Sequence, residues 1–386
     1  MSFPKIGVIG GGQLARMMAP EALNLGFELH VLAEGPDVSA ARSVPDAPVG
    51  DYKDLETLRE FAKGKDVVTF DHEHVPNEFL TTLINEGVNI QPRPAALIHA
   101  QDKLVMREAI ERLGLPNPAW AKVDDVGALI AFGEQTGWPI VLKTPRGGYD
   151  GKGVRMLDNA QDAKDSADWF AHGPLLAEDK VEFSRELSAL VARTPSGEAK
   201  AWPVVHTIQV DGVCDEVIAP AQDIDEATAA TAADAALRIA EEFGVTGVMA
   251  AELFETPGSG AGFVINELAM RPHNTGHWTM NGSVTSQFEQ HLRAVLDLPL
   301  GETRELGVTV MKNYLGGANQ DLYSAFQAAL AAAPEVKVHA YGKSVRPGRK
   351  IGHVNVVANA GQSVDELRSQ ANKVAALIRD GIEAAV

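Results

Sequence analysis

Cysteine is almost absent: Cys214 is the only one in 386 residues. No disulfide can close within such a chain and no thiolate cluster can hold a metal, which fits a reducing compartment. A lone cysteine reads first as a small residue inside a strand. Long apolar runs are missing too. None approaches the roughly 18–20 residues that span a bilayer. The longest segment free of Asp, Glu, Lys and Arg, residues 272–288, is full of Asn, Thr, Ser, Gly and His. The opening MSFPKIGVIGGG has no extended apolar core followed by a small-residue cleavage site, so it does not read as a secretory signal. Positive charge is in short supply: 34 Lys and Arg against 52 Asp and Glu leave a formal charge of −18. Binding a nucleic acid or an anionic membrane needs clustered Lys and Arg for counterion release, so neither is an expected partner. No internal repeat or low-complexity tract is present beyond mild alanine enrichment. These absences predict a soluble, cytoplasmic protein.

What remains is ordinary globular material, 45% hydrophobic and 22% charged, long enough for two or three domains. Short apolar runs at 6–9, 28–32, 67–70 and 88–90 alternate with amphipathic stretches at 13–25, 55–63 and 77–85. That alternation predicts a parallel sheet with helices on its faces. Pro92 and Pro94 end the pattern, since each fixes its own φ and disfavours helix in the preceding residue. A helix is expected over 102–113 with Asp102 as N-cap, then a strand-helix-strand unit closing at 140–144. From about 175 strands dominate, at 175–177, 186–192, 203–210 and 216–220. An Ala-rich helix at 225–243 and strands at 248–254 and 262–268 follow. Helices at 284–296, 322–332 and 364–378, with two short strands, complete the reading.

Five constellations could carry chemistry. Gly10-x-Gly12-x-x-Ala15 lies between a strand and a helix, with Glu34 at the end of the next strand; this matches a dinucleotide fingerprint, or a tight turn that lets backbone N–H groups approach any anion. Lys143 ends a strand and is followed by Arg146-Gly-Gly-Tyr-Asp150-Gly-Lys152-Gly153. Fixed charge beside a mobile glycine-rich loop suits the polyphosphate of ATP, though a surface hairpin would look the same. Glu252 and Glu267 flank the turn residues Pro257-Gly-Ser-Gly260. A regular hairpin centred there puts the two acids opposite each other, with Cβ atoms about 4.5–5.5 Å apart. Carboxylates that close repel unless a cation lies between them, and Mg²⁺ prefers such oxygen ligands, with Asn266 at hand. Register slip is the competing reading.

The segment Arg271-Pro-His273-Asn274-Thr-Gly-His277 directly follows the second acid. His273 and His277 have zinc-like spacing for a helix, but Pro272 and Gly276 argue against a helix there. A loop gripping an anionic substrate through Arg271 or Asn274 is the better reading. Finally, Lys343-Ser-Val-Arg346-Pro-Gly-Arg349-Lys350 concentrates four positive charges without an acid, a phosphate-sized site or a solvated basic turn.

Together these residues resemble the ATP-grasp enzymes, and among them the 5-(carboxyamino)imidazole ribonucleotide synthase family of purine biosynthesis. GGGQLARM, GGYDGKG, EFSRELS, INELAMRPHNTGHWT and RPGRKIGH occur in the family's order over nearly the whole chain. The resemblance implies an α/β (α+β ATP-grasp) architecture: an N-terminal parallel-sheet Rossmann-like domain at 1–100, an ATP-grasp small lobe with linker helix at 101–181, and a large lobe with a small C-terminal β-rich subdomain at 182–386. It implies ATP and Mg²⁺, aminoimidazole ribonucleotide and bicarbonate as substrates, carboxyphosphate as intermediate, and a homodimer.

Carried over by position, Lys103 and Lys143 are the expected phosphate lysines, and Gly148, Tyr149, Asp150, Gly151, Lys152, Gly153 and Val154 the phosphate loop. Glu178, Asp179, Lys180 and Val181 stand at the adenine hinge, Glu186 at the ribose and His206 near the nucleotide. Glu252 and Glu267 are the implied metal ligands with Asn266 beside them; Asp150, Lys152 and His273 stand at the reacting end. Gln13, Leu14, Glu73, Arg271, Asn274, Lys343, Arg349 and Lys350 are expected to hold the ribonucleotide. His72 and His74 replace an EFENV-like run, with Glu73 kept, and Lys152 replaces a frequent arginine, retaining charge without the planar fork. A formate-using transformylase of the same pathway, a nucleotide-cofactor oxidoreductase and a non-catalytic nucleotide-binding regulator are the alternatives.

Overall fold

A computed structural model describes residues 3–148 and 153–381. Near the N-terminus, strands Lys5–Ile9, Glu28–Leu32 and Val67–Phe70 form a parallel sheet with the first strand in the centre. Ile6, Val8, Val31 and Val67 are fully buried in it. Helix Gln13–Leu25 lays Leu14, Ala15, Met17, Met18 and Ala22 against that core, an apolar stripe of helical period. Gly26, at φ 77, ends the helix in the left-handed conformation that glycine adopts without a Cβ penalty. The expected strand at 88–90 shrinks to one parallel bridge, Val68 to Ile90. Pro94, read from sequence as a terminator, instead opens helix Pro94–Gln101. A proline suits the first helical position because the N–H it lacks would have no partner there.

Helix Lys103–Arg112 follows, its N-terminus capped by Asp102, whose carboxylate accepts from Leu104 N and Val105 N at 3.0 and 3.3 Å. Strands Trp120–Val123, Leu175–Asp179, Ile140–Lys143 and Val154–Leu157 then make an antiparallel sheet in that spatial order. Helix Val126–Thr136 closes its core of Val123, Leu129, Ile140, Leu142, Leu157 and Leu175.

The third sheet has nine strands. Its path runs Phe263–Ala269, Gly247–Glu255, Arg185–Arg193, Val205–Val210, Val213–Ala219, Thr309–Leu315, Lys350–Val357 and Lys337–Ala340, with Ala199–Ala201 on the flank of Arg185–Arg193. Every pairing is antiparallel. Helix Glu226–Glu242 packs one end through Ala232, Ala235, Ala236 and Ile239. Helix Val364–Asp380 packs the other, over Val310, Ile351 and Val354, and carries a capping box between Ser363 and Glu366. The expected helix at 322–332 divides into a 3₁₀ turn, Leu322–Ala325, and helix Phe326–Ala332.

One irregularity in this sheet matters for function. Glu252 pairs with Glu267, but Leu253 pairs with Ile265, so Asn266 is an extra residue on its strand. Such a bulge re-aims the side chains around it. Among the described residues no helix is long and apolar enough to cross a membrane.

Candidate active site

The antiparallel four-stranded sheet meets the nine-stranded sheet across a buried ionic knot. Lys143, the last residue of its strand, places Nζ 2.7 Å from Glu178 Oε2 and donates to Asn266 Oδ1 at 3.2 Å. Arg107 grips the other Glu178 oxygen through Nε at 2.5 Å. Its remaining donors reach the Ile265 carbonyl at 2.7 Å, the Asn266 carbonyl at 2.8 Å and Asn117 Oδ1 at 2.9 Å. Burial opposes ionisation of Glu178, yet the charges of Lys143 and Arg107 outweigh it and hold the carboxyl below its ordinary range. The Glu178 side chain is thus committed to these two cations. Arg107 was not singled out by sequence reasoning. Its signal was a cation inside the buried stripe formed by Leu104, Met106, Ala109 and Ile110.

On the large-sheet side, Glu252 and Glu267 face each other as the turn chemistry predicted. Lys103, first residue of its helix, pairs with Glu267 at 2.9 Å. Burial, then the charges of Glu267 and Glu186, push the Glu252 carboxyl up to about 8. Two facing carboxylates, with the Glu267 charge opposing ionisation of Glu252, form a donor set that suits a hard divalent cation. His273 Nε2 lies 3.4 Å from Glu252 Oε1; burial, then Arg271 and Lys350, push this imidazole well below its usual value.

The residues expected around a nucleotide cluster beside this pair. Glu186 neighbours Thr207 and Phe254 across the ladder, and burial raises its pKa against a hydrogen bond to Gln209. His206 lies on the adjacent strand, its pKa lowered first by burial and then by Arg185. Along the hinge, burial raises the Asp179 pKa, Lys180 pairs with Glu182 at 3.0 Å, and Val181 is half-buried. Phe183 and Phe254 stack with centroids 4.4 Å apart, and Phe183 is 45% exposed. An open aromatic pair beside the hinge can receive a planar base; sequence reasoning missed it because the two rings are far apart in the chain. Lys143 pairs with Val154 across the glycine-rich connection, and Gly153 takes φ 72 beside Thr144. Gly148 ends the first described stretch and Gly153 opens the second. Tyr149, Asp150, Gly151 and Lys152 lie outside the described residues.

The basic turn reaches the helix Gln13–Leu25 of the N-terminal unit. Lys343 donates to Gln13, and burial drives its pKa down to about 8 although Asp71 opposes the shift. Arg349 bonds Ser344 Oγ at 2.8 Å, and Lys350 opens the strand Lys350–Val357. The Leu14 side chain is buried in the core, which leaves its backbone for any ligand. Glu73 accepts from Met270 N at 2.6 Å and Arg271 Nε at 3.1 Å, tying the first sheet to the loop that follows Glu267. Asn274 stands beside the buried Cys214 thiol, and its buried amide nitrogen meets no nitrogen or oxygen acceptor among the described residues.

The glycine-rich start of the chain is not free to take a dinucleotide. Gly11 N–H donates to Glu34 Oε2 at 2.9 Å, and Ala15 N–H to Asp71 Oδ1 at 2.8 Å. A Cβ added to Gly12 would collide with the Asp71 carboxylate. Carboxylates of the chain itself therefore hold the amides that a pyrophosphate would need.

Known proteins share this architecture along its whole length. A profile of the ribonucleotide synthetase preATP-grasp domain matches residues 3–101, the ATP-grasp domain 108–288, and the phosphoribosylaminoimidazole carboxylase C-terminal domain 309–367. The N5-carboxyaminoimidazole ribonucleotide synthase of Mycobacterium tuberculosis is 48% identical over 384 residues, 98% of this chain and 88% of that protein. The enzyme of the same name from Corynebacterium ammoniagenes is 52% identical over 361 residues, 92% and 87% of the two chains. A crystal structure of an N5-carboxyaminoimidazole ribonucleotide synthetase with ADP superposes with a TM-score of 0.88 at 34% identity, covering 97% of each chain. One from Aspergillus clavatus, in complex with ADP and 5-aminoimidazole ribonucleotide, gives 0.87 at 31% identity over 98% and 99%.

Proposed function

The chain belongs to the N5-carboxyaminoimidazole ribonucleotide synthase family of ATP-grasp enzymes, and from that membership we propose how its site works. It is an ATP-dependent ligase that carboxylates the exocyclic amine of 5-aminoimidazole ribonucleotide in purine biosynthesis. Bicarbonate is the carbon source. It is a poor electrophile, and phosphorylation by ATP to carboxyphosphate supplies the leaving group. The observation that carries this reading is the meeting of Lys103 and Lys143 with the facing carboxylates Glu252 and Glu267 at one junction.

Phosphoryl transfer is catalysed largely by positioning and charge neutralisation, so the site needs no covalent protein nucleophile. Glu252 and Glu267 hold Mg²⁺, which supplies charge neutralisation at the phosphates when bound. Lys103 and Lys143 sit on rigid elements and contribute fixed positive charge. Phe183, stacked on Phe254, offers its open side to the base, with Glu178 to Val181 as hinge, Glu186 at the ribose and His206 nearby. We assign the glycine-rich loop 147–153 to the phosphates, where its role is to keep water from carboxyphosphate. Asp150 accepts the amine proton, and Lys152 and His273 stand at the same end. Gln13, Leu14, Glu73, Arg271, Asn274, Lys343, Arg349 and Lys350 hold the ribonucleotide.

The three units run 1–100, 101–181 and 182–386, and the enzyme acts as a cytoplasmic homodimer, as the family resemblance implies. An ADP-release assay tests the reaction. Release should require 5-aminoimidazole ribonucleotide and bicarbonate together, with labelled bicarbonate carbon appearing in the product. If formate replaces bicarbonate, the transformylase alternative is right.

A further inference from the structure

The loop that follows Glu267 folds around one buried amide. Gln287 opens helix Gln287–Val295 and is 0% exposed. Its Oε1 accepts from His273 N–H at 2.8 Å, and its Nε2 donates to the His273 carbonyl at 2.8 Å. A backbone N–H only donates and a carbonyl only accepts, so the orientation of this amide is determined twice over. The same Nε2 lies 2.9 Å from His277 Nδ1. That ring nitrogen must therefore accept, and the His277 proton sits on Nε2. The packing is close enough that a Cβ at Gly276 would strike the Gln287 amide oxygen.

The His273 ring can be read in the same way. Thr275 N–H donates to its Nδ1 at 3.4 Å. The Thr275 hydroxyl lies 2.9 Å from that nitrogen and is itself 2.8 Å from Ser188 Oγ. An Nδ1 that accepts a backbone N–H carries no proton. The imidazole is then neutral with its proton on Nε2, the nitrogen 3.4 Å from Glu252 Oε1.

We propose that Gln287 is a positioning residue for the reaction: by clasping the His273 peptide at both its N–H and its carbonyl, it fixes where the imidazole stands, on the Glu252 side of the site, while Thr275 fixes the Nε2–H tautomer. This rests on the reading of His273 as a residue at the reacting end, and it sharpens that reading. A neutral imidazole with Nε2–H turned inward donates a hydrogen bond to an oxygen of the carboxyl or carboxyphosphate group. It does not accept the amine proton through that nitrogen, so the base lies elsewhere. A loop stitch of purely structural value would move stability and leave the tautomer without consequence.

Nitrogen NMR of histidine-labelled protein reads the tautomers without any catalytic assay. Neutral Nε2–H forms are expected at His273 and His277, assigned by the loss of each signal in His273→Ala and His277→Ala. An Nδ1–H form at His273 overturns the proposal. Gln287→Glu keeps the acceptor for His273 N–H and removes both donors. It should lower kcat by roughly 10- to 100-fold, the scale of a misplaced reacting group, with KM for ATP within about twofold of the parent value. Unchanged kcat, or a fall in kcat that only tracks a loss of folded protein, overturns it. If Gln287→Glu does not fold, hydrogen exchange on the unsubstituted protein decides: the His273 N–H held by Gln287 should exchange slowly, and fast exchange overturns the clasp. His273→Ala separates the two layers: if it retains parental kcat, the role of His273 is wrong whatever Gln287 does.

Discussion

Single side chains in this protein divide by whether their partners are near in sequence. Glu252 and Glu267 were legible, because the turn residues between them set the register and a carboxylate pair in apolar strands needs a cation. Arg107 was not, because its partners Glu178 and Ile265 lie 71 and 158 residues away. Replacing Arg107 by Met leaves Glu178 with one of its two cations in a site that excludes water. We expect a loss of about 3–5 kcal/mol, the usual cost of breaking a buried ion pair, measured by urea unfolding. Glu252→Gln and Glu267→Gln should each raise the Mg²⁺ concentration for half-maximal activity at least about tenfold, read by titration at saturating ATP. Lys343 offers a test in pH. Burial lowers its pKa to about 8, and a lysine is charged below its pKa and neutral above it. The value of kcat/KM for the ribonucleotide should therefore fall as pH rises through about 8, and Lys343→Met should flatten that limb.

At the scale of elements, the local code was read well where a cap or a turn residue announced itself. Asp102 was expected as an N-cap and is one. The helix it starts carries both Lys103 and Arg107, so its first turn is part of the site. Asp102→Ala should cost about 1 kcal/mol of stability and raise KM for ATP, because fraying there displaces Lys103. Asp102→Asn keeps the capping oxygen and should restore most of the affinity; a steady-state titration with ATP distinguishes the two variants. Local reading failed at Pro94, where a proline can stop one helix or start another, and the packing of the residues after it makes the choice. It failed also at the Asn266 bulge. An extra residue in a strand has no compositional mark, and here the bulge is held by Arg107 bonds to the carbonyls of Ile265 and Asn266.

Across the whole molecule, the three sheets are joined by side chains rather than by continuous strands. Glu73 links the first to the loop after Glu267, and Ser39 Oγ donates to the Tyr341 carbonyl at 2.6 Å. Glu178, Lys143 and Arg107 link the other two. A ligand that bridges such units stabilises all of them. Mg-ATP at about a hundredfold its dissociation constant should add about 2.7 kcal/mol to stability, seen as a raised thermal midpoint. NAD at the same concentration should leave it unchanged, since Glu34 and Asp71 already hold the amides of the glycine-rich turn.

Composition alone left no intrachain disulfide and no apolar run long enough for a membrane-spanning helix, since each needs residues this chain has too few of. Periodicity and turn chemistry yielded the parallel N-terminal sheet and the Glu252–Glu267 hairpin, because both depend on contacts within a few dozen residues. Against a net charge of −18, the basic turn at 343–350 stood out on charge pattern alone. Tertiary structure alone decided which charges are spent on each other. Glu178 is committed to Lys143 and Arg107, and Glu34 and Asp71 to the glycine turn, while the His273 proton is set by Thr275 and the His273 peptide by Gln287. Burying a polar group is costly unless a partner meets it, and those partners come from remote parts of the chain.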